Sequence, residues 1–527
     1  MKTTNVVPIP SGKYIRFHSD GKVPYNLSAF ASPCVGGGDN DGHHRGLDVT
    51  AERICGDMPD DAVTRIRFAN WRDGLADWLG PFVAMLGDRR RARMCPAYVE
   101  GLIGPGDRKS VQPMAMRSPG IGYDQLHHFI GGALWDSAPL EQELARQADA
   151  LLGGSDAWLI IDDTALPKKG RASVGVAPQY ASALGKNANC QTLVSVTLAS
   201  SEVPVMIGLR LLLPESWTSD AVRMDRAKVS EEYRTYRSKP EIALAEIDRV
   251  RKAGGRFGGI LADAGYGLSG PFRQALTERG LTWAVGIPYK QKVYPADVAM
   301  IFPVTGRGRS RKNYVPDVLS RPAQEMLESA KWQTVSWRRG TKGKLTARFA
   351  AMRVRVADGP PQRIGHLGQQ HLPGEEVWLV GEHRSTGERK YYLSNLPSDT
   401  PLKKLAGAIK ARWVCEQAHQ QLKEELGLDH FEGRSWQGLH RHALMSMIAF
   451  AFLQTRRLKA AGRKKKIPSP PPQPTLPAIR HEILIQFSQP PPPSCSHCRR
   501  IWRKFGPQKC AKVVLGRRLI SAQPQAA

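Results

Sequence analysis

Arg412, Glu416 and Lys423 have residue types and a spacing that could do chemistry, because one acid is flanked by two cations. Their offsets of four and seven positions correspond to one and two turns of an α-helix, so the three side chains would lie on one side of it. The apolar residues of this stretch recur every three or four positions and predict an amphipathic helix: Leu402, Leu405, Ile409 and Trp413. A solvated charged helix face has the same pattern, so the interpretation depends on the rest of the chain.

Further acids directly follow two short apolar runs. Residues 158–161 precede Asp162 and Asp163, and residues 258–262 precede Asp263. Each run has the composition of a buried central strand. Acids at the ends of neighbouring central strands can point to one place, and we therefore expect these carboxylates to meet.

Carboxylates that meet at one point are suited to hard divalent cations. Mg²⁺ and Mn²⁺ prefer oxygen ligands. Phosphoryl transfer commonly uses two such ions about 3.5 to 4 Å apart, one at the nucleophile and one at the leaving oxygen. The strands and the helix together offer Asp263, Glu416 and one member of the Asp162 and Asp163 pair, since neighbouring side chains of a strand face opposite sides.

The composition indicates a nucleic-acid partner. The 527 residues include 76 Lys and Arg against 48 Asp and Glu, which gives a formal net charge of +28. Such an excess favours DNA or RNA, because a polyanion releases counterions when it binds a cationic surface. The eight scattered cysteines are expected to be reduced thiols. The longest nearly apolar run, residues 443–453, is too short to span a bilayer and no apolar signal core begins the chain, so a cytoplasmic protein is expected.

Changes of pattern along the chain predict six parts. Helical periodicity begins near residue 65 and gives way at residue 153 to alternating strands and helices. The predicted parts are a flexible arm (1–64), a helical DNA-binding domain (65–152), the first part of an α/β core (153–290), a β-rich insertion (291–400), the last part of the core with the Glu416 helix (401–455) and a basic proline-rich tail (456–527).

Three motifs, in this order, resemble the insertion-sequence transposases of the DDE superfamily over roughly residues 65–450. They are Asp-Asp-Thr at 162–164 with Pro-Lys-Lys-Gly at 167–170, Asp-Ala-Gly-Tyr-Gly at 263–267, and the Arg, Glu and Lys at 412, 416 and 423. The third has the spacing of the Y-R-E-K signature of one branch of these enzymes. The tyrosine of that signature would fall at position 409, where this chain has Ile409.

The resemblance implies an α/β fold with an RNase H-like mixed sheet flanked by helices, an inserted β-rich subdomain and an N-terminal helical domain. It also implies two Mg²⁺ or Mn²⁺ ions held by Asp163, Asp263 and Glu416. Asp163 is preferred because relatives place the metal-binding acid directly before threonine, and Asp162 is the alternative.

Basic and aromatic residues between and after these acids in the sequence are expected to contact DNA. By resemblance, Arg412 and Lys423 would hold DNA phosphates near the ions, whereas salt bridges to neighbouring glutamates are the structural alternative. In relatives, the inserted β-rich subdomain helps to hold the transposon end. The other expected DNA contacts are Lys168, Lys169, Arg434 and Trp337. A tryptophan in a strand is more often part of a core than a base-stacking residue.

The function implied by the resemblance is cleavage and joining of DNA at the ends of a mobile element. Water would first attack the phosphodiester at the tip of the element, and the freed 3′-hydroxyl would then attack target DNA. The expected partners are double-stranded DNA and, by analogy with the family, a second copy of the chain. A stand-alone metal-dependent nuclease of the same fold and a non-catalytic DNA-binding regulator derived from a transposase are the alternatives.

A possible zinc site lies near the C-terminus. Cys495 and Cys498 flank His497, and Cys510 follows. No second Cys-x-x-Cys pair is present, so structural zinc is not the preferred interpretation of this segment.

Overall fold

The structure is a computed structural model that describes residues 71–181, 184–302, 313–340, 343–364, 368–462 and 474–487. All described residues belong to one compact unit, residues 60–527. The predicted N-terminal arm and the Cys495 and Cys498 pair lie outside the described residues.

Helices form the N-terminal part of the described chain, where the hydrophobic pattern predicted them: α1 (Trp71–Ala84), α2 (Arg89–Ile103), α3 (Val111–Met116), α4 (Tyr123–Gly131) and α5 (Ala138–Leu152). Leu75, Leu79 and Phe82 are buried on one side of α1, as their spacing predicted. The spacing of Leu126, Phe129, Ile130 and Leu134 in the sequence predicts one apolar stripe, and the placement of Leu134 on this stripe of α4 was wrong. That helix ends at Gly131, and the Leu134 side chain is exposed.

Strands dominate the middle of the described chain: β1 (Gly154–Pro167), β2 (Ala177–Ala181), β3 (Lys186–Ser200), β4 (Val203–Leu211), β5 (Phe257–Ala262), β6 (Trp283–Ile287), β7 (Lys292–Pro295), β8 (Met300–Ile301), β9 (Val315–Pro316), β10 (Arg321–Pro322), β11 (Gln333–Gly340), β12 (Gly343–Val356), β13 (Pro361–Arg363), β14 (Gln369–His371), β15 (Glu376–His383) and β16 (Arg389–Ser394). The main sheet has the order β10-β7-β12-β15-β16-β6-β5-β1-β3-β2. β11 pairs with β12, and β4 pairs with β3, so the sheet contains twelve strands.

Helices connect and follow these strands: α6 (Glu215–Thr218), α7 (Ala221–Arg226), α8 (Lys239–Lys252), α9 (Ala264–Gly267), α10 (Gly270–Glu278), α11 (Ala323–Met326), α12 (Leu402–Ala411), α13 (Trp413–Glu424), α14 (Trp436–Ala460) and α15 (Leu476–Phe487). The fold is therefore a large mixed sheet flanked by helices, which confirms the predicted α/β class. Among the described residues, no helix combines the length and the apolar composition that a membrane span requires.

β1 is the central strand of the core, with an antiparallel neighbour, β3, and a parallel neighbour, β5. The parallel pairing ends where Ile161 lies opposite Ala262, and Asp162 and Asp263 directly follow these residues. The sequence predicted a short strand that ends at the acids. Instead, β1 continues to Pro167, because β3 pairs with it along that whole length.

The strands between residues 291 and 400 extend the core sheet. β16 pairs antiparallel with β6, and β15, β12 and β7 follow outwards. The strand-like runs of this segment are thus strands, as predicted, and most of them share hydrogen bonds with the same sheet that carries the acids. Within the described ranges, the pairs β13–β14 and β8–β9 form small separate sheets.

The helix predicted around Glu416 is present as two helices, α12 and α13, which meet at Arg412. Arg412 itself has helical dihedral angles of φ −59° and ψ −27°. A hydrogen bond of 3.1 Å from the Cys415 N–H to the Arg412 carbonyl tightens the turn at this junction. Ile409 and Cys415 pack with Ile160 of β1 in one buried cluster, so both helices lie against the same face of the sheet.

The predicted basic tail contains a packed helix. Leu476, Ile479 and Ile483 follow a helical spacing and are buried on one side of α15. Arg480 donates to the Ile103 carbonyl at 2.9 Å and to a carboxylate oxygen of Glu425 at 2.7 Å. The described part of the tail is therefore ordered against the helical domain, because its apolar positions outweigh the basic and proline-rich composition around it.

Candidate active site

Three aspartates meet at the point where β1 and β5 separate. One carboxylate oxygen from each of Asp162, Asp163 and Asp263 lies within 4.8 Å of the other two. Asp263 begins the short helix α9, and its carboxylate accepts hydrogen bonds from the N–H groups of Gly265 (3.0 Å) and Tyr266 (3.3 Å). The glycine turn after β5 thus fixes the direction of the Asp263 side chain, as is usual for an aspartate at a helix start.

Asp162 and Asp163 face opposite sides of β1. Asp162 is buried and accepts from Arg412, at the start of α13. Asp163 is partly exposed and pairs with Lys239, whose ammonium lies 2.7 Å from its carboxylate at the start of α8. The two side chains contact partners on opposite sides of β1, but the expectation that only one of them reaches the site was wrong, because the carboxylates of both lie within 4.8 Å of that of Asp263.

Arg412 joins the aspartate cluster to Glu416. One terminal nitrogen of its guanidinium contacts Asp162, and the other contacts Glu416, one helical turn later on α13. Burial raises the pKa of Asp162 to about 7, although Arg412 acts in the opposite direction. Burial also raises the pKa of Asp263, again opposed by Arg412. Asp162 and Asp263 are therefore poorly solvated and share the positive charge of Arg412. This arrangement favours the binding of a further cation.

Glu416 lies at the mouth of this site. Its side chain is 62% exposed, and among the described residues it is not part of the aspartate cluster itself. It lines a cleft of about 500 Å³ together with Asp263 and Arg412. The other lining residues are mostly basic or aromatic: Arg384, Arg389, Lys390, Lys410, Tyr289, Tyr391, Tyr392 and Trp413. A cleft of this composition suits a phosphate backbone with bases beside it.

The donor atoms of the aspartate cluster fit the expected cations. They are carboxylate oxygens, which Mg²⁺ and Mn²⁺ prefer to nitrogen or sulfur ligands. Asp162, Asp163 and Asp263 supply carboxylate oxygens for a divalent metal ion. Glu416 is connected to them through Arg412, which contacts both Asp162 and Glu416.

Arg412 contacts Asp162 and Glu416, and the other four cations predicted to contact DNA divide into two groups. The first group is engaged by the protein: Lys423 donates to the Ala165 carbonyl at 2.9 Å, and Lys168 donates to the carbonyls of Asp429 and Phe431 at 3.1 and 2.8 Å. Burial lowers the pKa of Lys168 and of Lys423. These two lysines tie β1 to the segments around α13.

The second group is available to a ligand. Lys169 and Arg434 are exposed.

Trp337 is half-buried: its ring packs edge-on against Phe349 at 5.9 Å, and the Lys410 ammonium lies 4.9 Å from its centroid. The structure therefore places Trp337 in a side-chain cluster of the sheet, which was the structural alternative for a tryptophan in a strand.

Several residues of the site had no signal in the sequence. Lys239 lies 76 positions after its partner Asp163 and begins an ordinary helix. Glu382 is buried on β15 and accepts from Lys410 and from the Tyr392 hydroxyl at 2.7 and 2.8 Å. These contacts depend on the order of strands in the sheet, which sequence spacing does not reveal.

Comparisons with known proteins point to one family. A model described as a DDE superfamily endonuclease matches residues 81–344, about half of the chain, and a transposase DDE domain matches residues 237–452. The chain is 27% identical over 341 residues to a probable transposase for insertion sequence element IS701 of Microchaete diplosiphon, a match that covers 63% of this chain and 74% of that protein. The piggyBac transposase in a synaptic complex with hairpin DNA is a similar solved structure, with 11% identity, 85% of each chain covered and a TM-score of 0.35.

Proposed function

The chain belongs to the DDE superfamily of endonucleases, and from this premise we propose that it is the transposase of an insertion sequence, which cuts DNA at the ends of the element and joins the freed ends to target DNA. The observation that supports this proposal best is the meeting of three aspartate carboxylates within 4.8 Å of one another. Their strands and the Glu416 helix are far apart in the sequence and have no evident structural need for so much like charge in one place.

We propose that Asp163, Asp263 and Glu416 hold two divalent ions, Mg²⁺ or Mn²⁺, with Asp162 as the alternative to Asp163. When bound, such ions lower the energy of the negative charge that develops on phosphate oxygens during phosphodiester cleavage. The protein contributes fixed directions for the acids. Asp263 is held by the N–H groups after β5, and Glu416 is held by Arg412.

The basic cleft is proposed to hold the DNA end. Arg384 and Arg389 line it together with Asp263 and would contact phosphates near the bond that is cut. Exposed Lys169 and Arg434 would contact phosphates further along the DNA. Lys423 and Lys168 act differently in this proposal, because their ammonium groups hold backbone carbonyls and so keep β1 in place against the α13 region.

An element has two ends, so the proposal includes two copies of the chain assembled on DNA. Light scattering of the protein with a terminal-repeat duplex, compared with the protein alone, measures this directly. A mass that corresponds to one chain at every DNA concentration would contradict the assembly.

The decisive experiment is a strand-transfer assay with purified full-length protein, Mg²⁺, a labelled element end and a target plasmid. We expect joined product. Cleavage without joining would instead favour the stand-alone nuclease, and binding without cleavage would favour the DNA-binding regulator.

Substitution of single acids assigns their roles. Asp163→Asn, Asp263→Asn and Glu416→Gln are each expected to reduce cleavage at least a hundredfold while DNA binding remains. Asp162→Asn measures the alternative assignment, and Asp156→Asn on the exposed start of β1 is a matched control. Full activity of Asp163→Asn together with loss of activity in Asp162→Asn would move the metal ligand to Asp162.

A further inference from the structure

A second group of metal-ligating side chains lies directly behind the aspartate cluster. Donor atoms of Asp162, Cys415 and His419 lie within 4.8 Å of one another, and all three residues are buried. Cys415 and His419 are one helical turn apart on α13, so both point from the helix towards β1 and β3. The proposed cleavage of DNA does not use either of these two side chains.

The surroundings of this group are polar although they are buried. The Cys415 sulfur lies 3.8 Å from Nε2 of His419. The Thr197 hydroxyl is 3.5 Å from the Cys415 sulfur, and the Ser195 hydroxyl is 2.8 Å from Nε2 of His419. Both hydroxyls belong to β3, and both are fully buried. A thiol, an imidazole and a carboxylate thus share one small polar space between the helix and the sheet.

We propose that Cys415, His419 and Asp162 form a binding site for a zinc ion. Tetrahedral zinc has bonds of about 2.0 to 2.3 Å to nitrogen, oxygen and sulfur, so its ligands lie about 3.3 to 3.8 Å from one another. The cysteine and histidine already have this separation, at 3.8 Å. On binding, the thiol releases its proton to solvent and a sulfur–zinc bond forms, and the fourth position is left for water or the Ser195 hydroxyl.

The two sites are expected to select different ions. The aspartate cluster offers only carboxylate oxygens, which suit Mg²⁺ and Mn²⁺, whereas sulfur and imidazole ligands suit zinc. Asp162 belongs to both groups. A zinc ion would therefore draw the Asp162 carboxylate away from Arg412 and from the other aspartates.

The consequence, which rests on the proposed function, is inhibition of DNA cleavage by zinc. Arg412 contacts Asp162 and Glu416 and also lines the cleft, so an ion in the cleft would reach Asp162 on the cleft side of Arg412. Zinc at this site would leave Arg412 in contact with the Glu416 carboxylate alone, instead of with those of Asp162 and Glu416. The orientation of Glu416 and the charge of the aspartate cluster would change together.

Binding can be measured without activity, using Co²⁺ as a spectroscopic substitute for zinc. The protein used is the full-length chain with the substitutions Cys495→Ser, Cys498→Ser and Cys510→Ser, so that these three cysteines do not contribute. We expect one Co²⁺ per chain, with thiolate-to-cobalt charge-transfer absorption in the near ultraviolet and the visible bands of tetrahedral cobalt. Cys415→Ser should remove the charge-transfer band. Cys190→Ser removes a different buried thiol, which lies on β3, and should leave the band unchanged.

An unchanged spectrum in Cys415→Ser would overturn the proposal, and so would the absence of any thiolate band in the parent protein. If Cys415→Ser does not fold, X-ray absorption of the zinc-loaded parent decides the question. The proposed site requires a zinc–sulfur distance of about 2.3 Å and nitrogen or oxygen ligands at about 2.0 to 2.2 Å. A shell of oxygen and nitrogen ligands without sulfur would exclude it.

Inhibition of DNA cleavage by zinc is measured separately from metal binding. In the Mg²⁺-dependent cleavage assay, the zinc concentration that halves activity should rise at least tenfold in His419→Gln and in Cys415→Ser, and should not change in Cys190→Ser. Equal zinc sensitivity of all these proteins would contradict the regulatory consequence, while the cobalt spectrum would still test the site. A parent protein that binds cobalt through sulfur but does not cleave DNA would contradict the proposed function alone.

Discussion

The ammonium of Lys239 lies 2.7 Å from a carboxylate oxygen of Asp163, on the side of β1 that faces away from Arg412. The aspartate cluster is thus bordered by a cation on each side of the strand. Both cations reduce the repulsion among the three carboxylates when no metal ion is bound. Lys239 is also partly exposed, so it can leave Asp163 without the cost of uncovering a buried charge.

Lys239→Ala is therefore expected to increase the affinity for Mn²⁺. An ion pair of this exposure contributes about 1 kcal/mol at most, which corresponds to about a fivefold change in the dissociation constant. Titration calorimetry of the DNA-free protein measures the affinity. Lys252→Ala removes the same charge from the exposed end of α8 and is the matched control. An unchanged affinity in Lys239→Ala would show that this ion pair does not compete with the metal.

Arg412→Gln is expected to destabilise the protein by about 2 to 3 kcal/mol at pH 8, because Asp162 loses the cation that its buried carboxylate contacts. The double variant Arg412→Gln with Asp162→Asn should recover most of that loss, since no buried charge remains. Urea denaturation of the single and double variants gives the coupling. Arg389→Gln, at an exposed position in the same cleft, should change the free energy of unfolding by less than about 0.5 kcal/mol. A double variant no more stable than Arg412→Gln would exclude this coupling.

The parts of the site that local patterns encode were predictable from the sequence. Apolar runs before Asp162 and Asp263 predicted strands, and the pairing of β1 with β5 brings these acids together because the two strands are parallel neighbours. The four-residue offset of Arg412 and Glu416 predicted their contact on one helix face. The choice between Asp162 and Asp163 was not predictable from spacing, because both carboxylates reach Asp263.

The parts that depend on sheet order were not predictable. Lys239, Glu382 and Tyr392 have ordinary local sequences. Lys239 acquires a role because α8 lies beside Asp163, and Glu382 and Tyr392 because β15 and β16 border the basic cleft. The packing of Trp337 also depends on the fold. Its basic neighbourhood predicted a DNA contact, and in the structure its ring packs edge-on against Phe349 with the Lys410 ammonium 4.9 Å from its centroid.

Lys168 and Lys169 are adjacent in the sequence and should behave differently. Lys168→Ala removes the donor to the carbonyls of Asp429 and Phe431 and should cost about 1 to 2 kcal/mol of unfolding free energy, with little effect on the salt dependence of DNA binding. Lys169→Ala, at an exposed position, should leave stability unchanged and lower the slope of log affinity against log salt by about 0.9. Denaturation and salt-titrated anisotropy measure the two effects, and an equal loss of salt dependence in both variants would contradict this division.

His440 and His442 on α14 are held as neutral rings. His442 accepts from the Tyr98 hydroxyl at Nδ1 (2.8 Å) and donates from Nε2 to the Gly427 carbonyl (3.0 Å). His440 donates from Nδ1 to the Trp436 carbonyl (2.9 Å) and accepts from the Leu211 N–H. Burial lowers the pKa of His440 to about 3 and that of His442 to about 4. Protonation of His440 would break the hydrogen bond from the Leu211 N–H, and protonation of His442 would require the Tyr98 hydroxyl to change from donor to acceptor.

Acid should therefore destabilise the protein. An unfolded histidine takes up a proton below about pH 6.5, whereas these folded rings stay neutral to about pH 4 or below. The unfolded state then binds more protons, and stability is lost as the pH falls through that window.

Between pH 7 and pH 5 each histidine should contribute a loss of about 2 kcal/mol to the free energy of unfolding. In urea denaturation at the two pH values, His442→Gln should lose about 2 kcal/mol less than the parent, whatever its stability at pH 7, because one proton-linked group is gone. His127→Gln, at an exposed ring on α4, is the control and should show the parent difference. The same pH difference in His442→Gln and in the parent would mean that the His442 ring is not the source of the acid sensitivity.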